Sequence, residues 1–434
     1  MSEWNQFELK GITSKIGSGA TPRGGQEAYK SEGISLIRSQ NILDFSFSYN
    51  GLAFIDENQA EKLKNVIVEE NDILINITGD SVARVTKVPQ EVLPARVNQH
   101  VAILRPKQNE IDPDYLLYYL LNPFFKRLLL KIASDGATRN ALTKTQLQEL
   151  IIRVPSINEQ KQIAKTLSNL DQKITLLRQQ NQTLEQLAQT LFKRWFVEFE
   201  FPNKNDKPYK SSGGKMVSSE LGEIPEGWKY KELGEFIKIH NGYSYKGSEL
   251  QESDVAMVTL KNFDRNGGFR FDGYKELVSE KYKEKHIVNI GDLIVAHTDL
   301  TQDAEVLGNP AIIMENAKYK ELIISMDLVR VESLNNSLTN EFLYYLMKDR
   351  RFKGHCVGYS NGTTVLHLAK NAIPEYIFAF PKDLNIVELF GKYANTVYQK
   401  ITNNITEVES ITKLRDTLLP KLMSGELKVN PKNN

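Results

Sequence analysis

Few side chains in this 434-residue sequence stand at spacings that catalysis requires. Asn122-Pro123-Phe124-Phe125 comes nearest, because an Asn-Pro pair followed by an aromatic could grip a base turned out of a duplex. It lacks a second proline and lies between two apolar helical runs, where Asn-Pro ends one helix and starts the next. Gly17-x-Gly19 precedes Thr21-Pro22-Arg23 rather than a helix, and Gly213-Gly214-Lys215 lacks the rest of a phosphate-cradling loop. The 6 histidines show no ligand spacing, and Cys356, the one cysteine, cannot complete a zinc site with them. No Ser/His/Asp order and no carboxylate–lysine cluster of a nuclease stands out. No catalytic residue, no metal ligand and no cofactor is assigned to the chain.

Its polar chemistry lies in loops, as donors and acceptors of the kind that read base edges: Arg or Lys for guanine, Asn or Gln for adenine, hydroxyls for either. In the first half these are Thr21 and Arg23, Arg38, Gln40 and Asn41, Thr78 and Ser81, and Thr138, Arg139 and Asn140. In the second half they are Tyr243, Tyr245 and Lys246, Lys261 and Asn262, His297 and Thr298, and Asn361, Thr363 and Thr364. For each residue alone a turn or capping role competes with base contact. A separate aromatic group, Phe192, Arg194, Trp195 and Phe196, could anchor a protein partner or fill a core, since aromatic and Arg side chains dominate interfaces.

The elements that must position these loops occur twice. Gly11, Ile16, Gly19 and Gly24 precede Gly234, Ile239, Gly242 and Gly247 by 223 residues, and Asn41 precedes Asn262 by 221. Asn71–Ile75 recurs as Gly291–Val295, Tyr118-Tyr119-Leu120 as Tyr344-Tyr345-Leu346, and Gly136-x-Thr138 as Gly362-x-Thr364. An offset that drifts by a few residues reflects short loop insertions in a duplicated unit. In the first copy, β-type runs (Ile34–Ile37, Val66–Val68, Ile73–Ile77, Val101–Leu104) precede helices at Tyr115–Leu121 and Phe124–Ile132. A loop over Ser134–Asn140 and a strand ending at Pro155 follow.

Beyond Pro155 a heptad seam begins: Ile163, Leu167, Leu170, Ile174, Leu177, Asn181, Leu184, Ala188, Leu191 and Trp195. Its counterpart 227 residues later is Phe390, Ala394, Val397, Ile401, Asn404, Val408, Ile411, Arg415, Leu418 and Leu422. Two helices with matched seams should pack on each other. The antiparallel register that sets Ile163 against Leu422 and Trp195 against Phe390 also sets Asn181 against Asn404, and a buried Asn facing Asn fixes register. At ~1.5 Å per residue the seam spans roughly 48 Å, enough to space two readers along a duplex.

Composition limits the alternatives. Lys+Arg (55) nearly balance Asp+Glu (54), so any nucleic-acid footprint must be local. One cysteine fits a reducing compartment, and apolar runs around Leu116–Leu121 and Leu128–Ile132 are too short to cross a bilayer. With no signal pattern at the N-terminus, the expectation is a cytoplasmic protein without membrane contact.

Four segments then carry a resemblance. They are Pro155-x-x-x-Glu159-Gln160-x-x-Ile163, Leu191-Phe192-Lys193-Arg194-Trp195-Phe196, Leu221-Gly222-x-Ile224-Pro225-x-Gly227-Trp228, and Leu419-Pro420-Lys421-Leu422-Met423-Ser424-Gly425-Glu426-Leu427. In this order, within a domain–helix–domain–helix plan, the chain resembles the specificity subunit of Type I restriction–modification systems. The second copy departs at Asp383-Leu384-Asn385, where no Glu-Gln pair follows the proline.

The resemblance implies an α+β fold of two pseudo-symmetric target-recognition domains, each a mixed β-sheet with helices, separated by two long helices in an antiparallel coiled coil. The corresponding boundaries are 1–154 for the first domain, 155–200 for the first spacer helix and 201–224 for a linker. The second domain takes 225–380, the second helix 381–427 and a tail 428–434. It also implies a non-enzymatic subunit on double-stranded DNA with a bipartite site. Two methyltransferase subunits with S-adenosylmethionine and motor/endonuclease subunits with ATP would supply the chemistry. The residues alone leave open a second reading, a coiled-coil scaffold gathering two protein partners without reading DNA.

Overall fold

The computed structural model describes residues 4–135, 140–265, 268–271, 273–314 and 319–429. The chain divides into two compact units, residues 1–176 with 407–434, and residues 177–406. Each unit is built on the same two sheets. In the first, Thr13–Ser18, Val101–Pro106, Ile73–Asn76 and Val85–Lys87 form an antiparallel sheet in that order. Its counterpart in the second unit is Ile237–Asn241, Leu328–Ser333, Leu293–Ala296 and Pro310–Ile312.

A second, mixed sheet lies against the first. It runs Ala53–Ile55, Ile34–Ile37, Ala95–Val97, Ile67–Val68 in one unit and Lys275–Glu276, Val255–Val258, Glu321–Ile324, Ile287–Val288 in the other, with one parallel pair in each. A third pairing also recurs: Asn5–Glu8 with Ile151–Val154, and Lys229–Glu232 with Ile377–Phe380.

The central strands read as continuous apolar runs because both of their faces are covered, the period-2 alternation merely choosing the cover. Ile73, Ile75, Ala102 and Leu104 pack with the helices, whereas Leu74, Val101 and Ile103 join the core of the mixed sheet. The second unit divides Leu293, Val295, Val329 and Val331 from Ile294, Ala296 and Leu328 in the same way. The helices Pro113–Leu121 and Pro123–Ser134 meet at Asn122, whose side chain accepts from Phe124 N and whose proline occupies the first helical position. Asn-Pro there is a helix boundary.

The two long helices, Ile157–Phe196 and Asn385–Ser424, have 40 residues each, so each begins six residues or fewer outside its apolar seam. Ser156 caps the first by accepting from Glu159 N. Gln160, 1% exposed, accepts from Asp112 N and donates to Glu110 O and Pro155 O, which explains the glutamine of the Glu-Gln pair as a tether to the first unit.

Within the first unit Ile163 and Leu167 share a core with Leu419, Leu422 and Met423. The buried seam position Arg415 pairs with Asp171 at 2.7 Å and lies over the Phe45 ring. Within the second unit Trp195 packs against Phe390 at 6.1 Å between ring centroids. There Asn404 Nδ2 donates to Asn181 Oδ1 at 2.8 Å. Both units therefore run the helices antiparallel. The stretch 201–224 is more than a linker: Met216–Ser219 pairs with Gly222–Pro225, and the Phe201 ring stacks on Tyr209 and Trp228.

Candidate nucleic-acid interface

In the first unit the polar loops converge on the turn 98–100, which links the mixed sheet to the strand Val101–Pro106. Asn98 N donates to Ile37 O, Ile77 N to His100 O and Ala20 N to Val97 O. Gly19 is required here by close approach, since a Cβ on it would stand 2.1 Å from Val97 O and 2.2 Å from Asn98 O. The second unit repeats the device around 325–327: Met326 N donates to Tyr243 O and His297 N to Asp327 O. A Cβ on Gly242 would stand 2.0 Å from Ser325 O. The glycines matched in the sequence are thus the points where each first loop is pressed onto its turn.

Around turn 98–100, Thr78 and Ser81 come together with Asn140. Gly79 N donates to Asn140 O, and Asn76 Nδ2 donates to both Ser81 Oγ and Ser39 O. Thr78 Oγ1 meets His100 Nδ1 at 2.6 Å. Thr21, Arg23 and Asn140 are exposed, while Thr138 and Arg139 lie outside the described residues. In the second unit Thr298 pairs across from His367, as does Asn361, and Thr298 Oγ1 donates to Asp327 at 3.0 Å. Asn361, Thr363 and Thr364 are exposed. Burial, with His367 and Lys370 beside it, pushes the His297 pKa below the usual imidazole value.

Several residues chosen as readers serve the loops instead. Asn41 is 0% exposed; its Oδ1 accepts from Arg38 N at 3.0 Å and its Nδ2 donates to Ser48 O at 2.9 Å. Asn262, also 0% exposed, accepts from Thr259 N at 2.8 Å and donates to Arg270 O. This repeated asparagine closes a 3-10 turn in each unit, which corrects its assignment as a base reader: no duplex could reach its amide.

Arg38 donates to Gly51 O and lies over the Tyr29 ring, and Gln40 donates to the same carbonyl at 3.2 Å. Tyr243, 7% exposed, contacts Glu249 and Ser279, and Thr298 is 4% exposed, so these two also hold loops in place. Hydrogen bonds from Lys246 N, Ser279 and Tyr243 hold the Glu249 carboxyl at about 2. Tyr245 accepts from Lys275, and Lys246 and Lys261 are exposed cations.

The aromatic group at the end of the first long helix divides in two. Phe192 and Phe196, 1% and 5% exposed, pack with Phe342, Phe390 and each other in the core of the second unit. Their spacing of four places both on one buried helix face, so the partner-facing role is corrected for these two. Trp195 is half-buried and Arg194 exposed. The sequence reading missed the turns themselves, because Asn98-Gln99-His100 and Ser325-Met326-Asp327 share no residue type for a repeat to reveal. Among the described residues no group of His, Cys, Asp and Glu could hold a metal ion, and no helix is long and apolar enough to cross a membrane.

Two copies of one two-sheet unit, each turning a different set of polar loops outward from the same glycine-fixed turn, define a duplicated recognition protein. A family described as Type I restriction modification DNA specificity domain matches residues 1–186 and 225–409, and the chain belongs to this family as a specificity subunit. Over 98% of its length it is 28% identical to the MjaIX specificity subunit of Methanocaldococcus jannaschii, of which it covers 94%. It is 24% identical to the HindI specificity subunit of Haemophilus influenzae, over 98% of this chain and 100% of that one. The crystal structure of a Type I restriction–modification S subunit from M. genitalium shares the fold, with a TM-score of 0.54 at 17% identity over 96% of each chain.

Proposed function

We propose that the two units read the two parts of a split DNA sequence, and that the chain brings two methyltransferase subunits, and a motor/endonuclease subunit, to that site. S-adenosylmethionine and ATP then belong to the partners, and the complex works in the cytoplasm. The carrying observation is the pair of equivalent turns, fixed by Gly19 and Gly242 against strand carbonyls, that present unlike side chains from one scaffold. A shared frame with divergent loop chemistry is what two readers of different half-sites need. Exposed Thr21, Arg23 and Asn140 in one unit, and Lys246, Lys261, Asn361, Thr363 and Thr364 in the other, are among the groups available to bases or phosphates.

The test is methylome sequencing of a host that carries this chain with its cognate methyltransferase. The expected result is one new bipartite methylated motif; a methylome with no new motif would overturn the reading.

A further inference from the structure

We propose that one equivalent position, Gln99 in the first unit and Met326 in the second, is the main base-discriminating position of each half-site: Gln99 selects adenine, and Met326 selects thymine through its 5-methyl group. The proposal rests on the DNA-reading function above and names which side chains set the specificity.

The two residues are 227 apart, the offset that also relates the two long-helix seams, and each is the middle residue of its turn. The backbone of these turns is already engaged. Asn98 N and Val101 N donate to Ile37 O and Asn98 O, His100 N donates to Asn98 Oδ1, and His100 O accepts from Ile77 N. A Cβ on Gly19 or Gly242 would stand 2.0–2.2 Å from the turn carbonyls, so each first loop lies flush against its turn. What each turn offers outward is therefore the side chain at its apex, and both apex side chains are exposed, Met326 by 53%.

The first apex is oriented by its neighbours. Gln99 Nε2 lies 3.2 Å from His100 Nε2, and His100 Nδ1 lies 2.6 Å from Thr78 Oγ1. A carboxamide nitrogen can only donate, so His100 Nε2 accepts, and in the neutral ring Nδ1 then carries the proton toward Thr78. This uses one of the two amide hydrogens of Gln99. The other hydrogen and Oε1 remain as a donor and an acceptor on one carboxamide, the pair of groups that matches N7 and N6 of adenine in the major groove. The second apex has no such pair. Met326 presents an apolar thioether, and Leu300, 72% exposed, extends from the loop whose Thr298 is bonded to Asp327 of the same turn. An apolar apex of this kind distinguishes the thymine methyl from the other major-groove edges.

The full chain in complex with its cognate methyltransferase, incubated with a library of randomised duplexes, provides the test: bound duplexes are sequenced for the wild type, Gln99→Ala and Met326→Gln. Gln99→Ala should lower adenine preference about ten- to a hundredfold at one position of one half-site and leave the other half-site unchanged. Met326→Gln should replace thymine by adenine at one position of the other half-site. In each case the untouched half-site reports that the variant is folded. If both variants select the wild-type sequence, the proposal fails while DNA reading stands. A wild-type complex that selects no sequence overturns the function itself.

Discussion

The Asn181–Asn404 pair makes an unequal prediction for two substitutions that look equivalent. Asn404 is 0% exposed, and its Oδ1 has no hydrogen-bond partner among the described residues; its one side-chain bond is the 2.8 Å donation to Asn181. Asn181 is only half-buried. Asn181→Leu removes the acceptor and leaves both ends of a buried amide unpaired, at a cost of about 1–3 kcal/mol. Asn404→Leu removes a buried carbonyl that was already unsatisfied and leaves Asn181 within reach of water, so its cost should be near zero or its effect stabilising.

For a unit of this size about 2 kcal/mol corresponds to a fall in Tm of roughly 4–8 °C. The double variant should melt well above Asn181→Leu, because two leucines at a seam restore apolar contact. Scanning calorimetry of the full chain and its three variants measures this. Equal losses for the two single variants, or a double variant as unstable as the sum of the singles, would refute the burial argument.

Gly19→Ala must open a gap of about 1 Å against two carbonyls, at a cost of about 1–3 kcal/mol, and should weaken selection of the first half-site while sparing the second. Gly242→Ala should do the reverse, with duplex selection by the complex as the readout. Phe192→Ala should destabilise the second unit by about 3–5 kcal/mol in urea unfolding, whereas an unchanged midpoint would remove Phe192 from the core.

Binding of the complex to random duplexes should weaken with added salt along a straight log–log line, and a flat line would favour a protein scaffold. Finally, the lowered pKa of His297 means that the unfolded chain takes up its proton first. Stability is thus present above about pH 6.5 and is lost as pH falls below it, toward the folded-state pKa. The fall in Tm from pH 7.5 to 5 should be shallower in His297→Gln, with His286 contributing in the same direction.

What could be read from the sequence followed the length of each signal. The heptad seam holds its period over ten positions, so both helices and the meeting of Asn181 with Asn404 follow from spacing alone. The glycine matches marked Gly19 and Gly242 as equivalent positions of a duplicated unit, but not the carbonyls that approach them. Of the first mixed sheet, Ile34–Ile37 and Val66–Val68 were legible as apolar runs, whereas Ala53–Ile55 and Ala95–Val97, three residues each, are too short to display alternation. At the interface, polarity was taken for accessibility. Asn41 and Asn262 have base-reading chemistry, but their repetition reflects a turn that needs an internal amide. Gln99 and Met326 went unnoticed for the opposite reason: a search for repeats discards positions where the copies differ, and a protein with two distinct targets must differ where it reads.

The first unit includes residues 407–434, and its core sets Ile163 and Leu167 beside Leu419, Leu422 and Met423. A ribosome delivers the second of these two groups long after the first. At about 5–20 residues per second, the roughly 250 residues between them keep that core open for about 12–50 s after Leu167 has emerged. The second unit, residues 177–406, also waits, since Phe192 meets Phe390 and Asn181 meets Asn404 in it, but all of its residues have emerged before Leu419. The nascent chain therefore finishes its later half before its earlier one, and a premature stop near the C-terminus would release a protein whose first reader was never sealed.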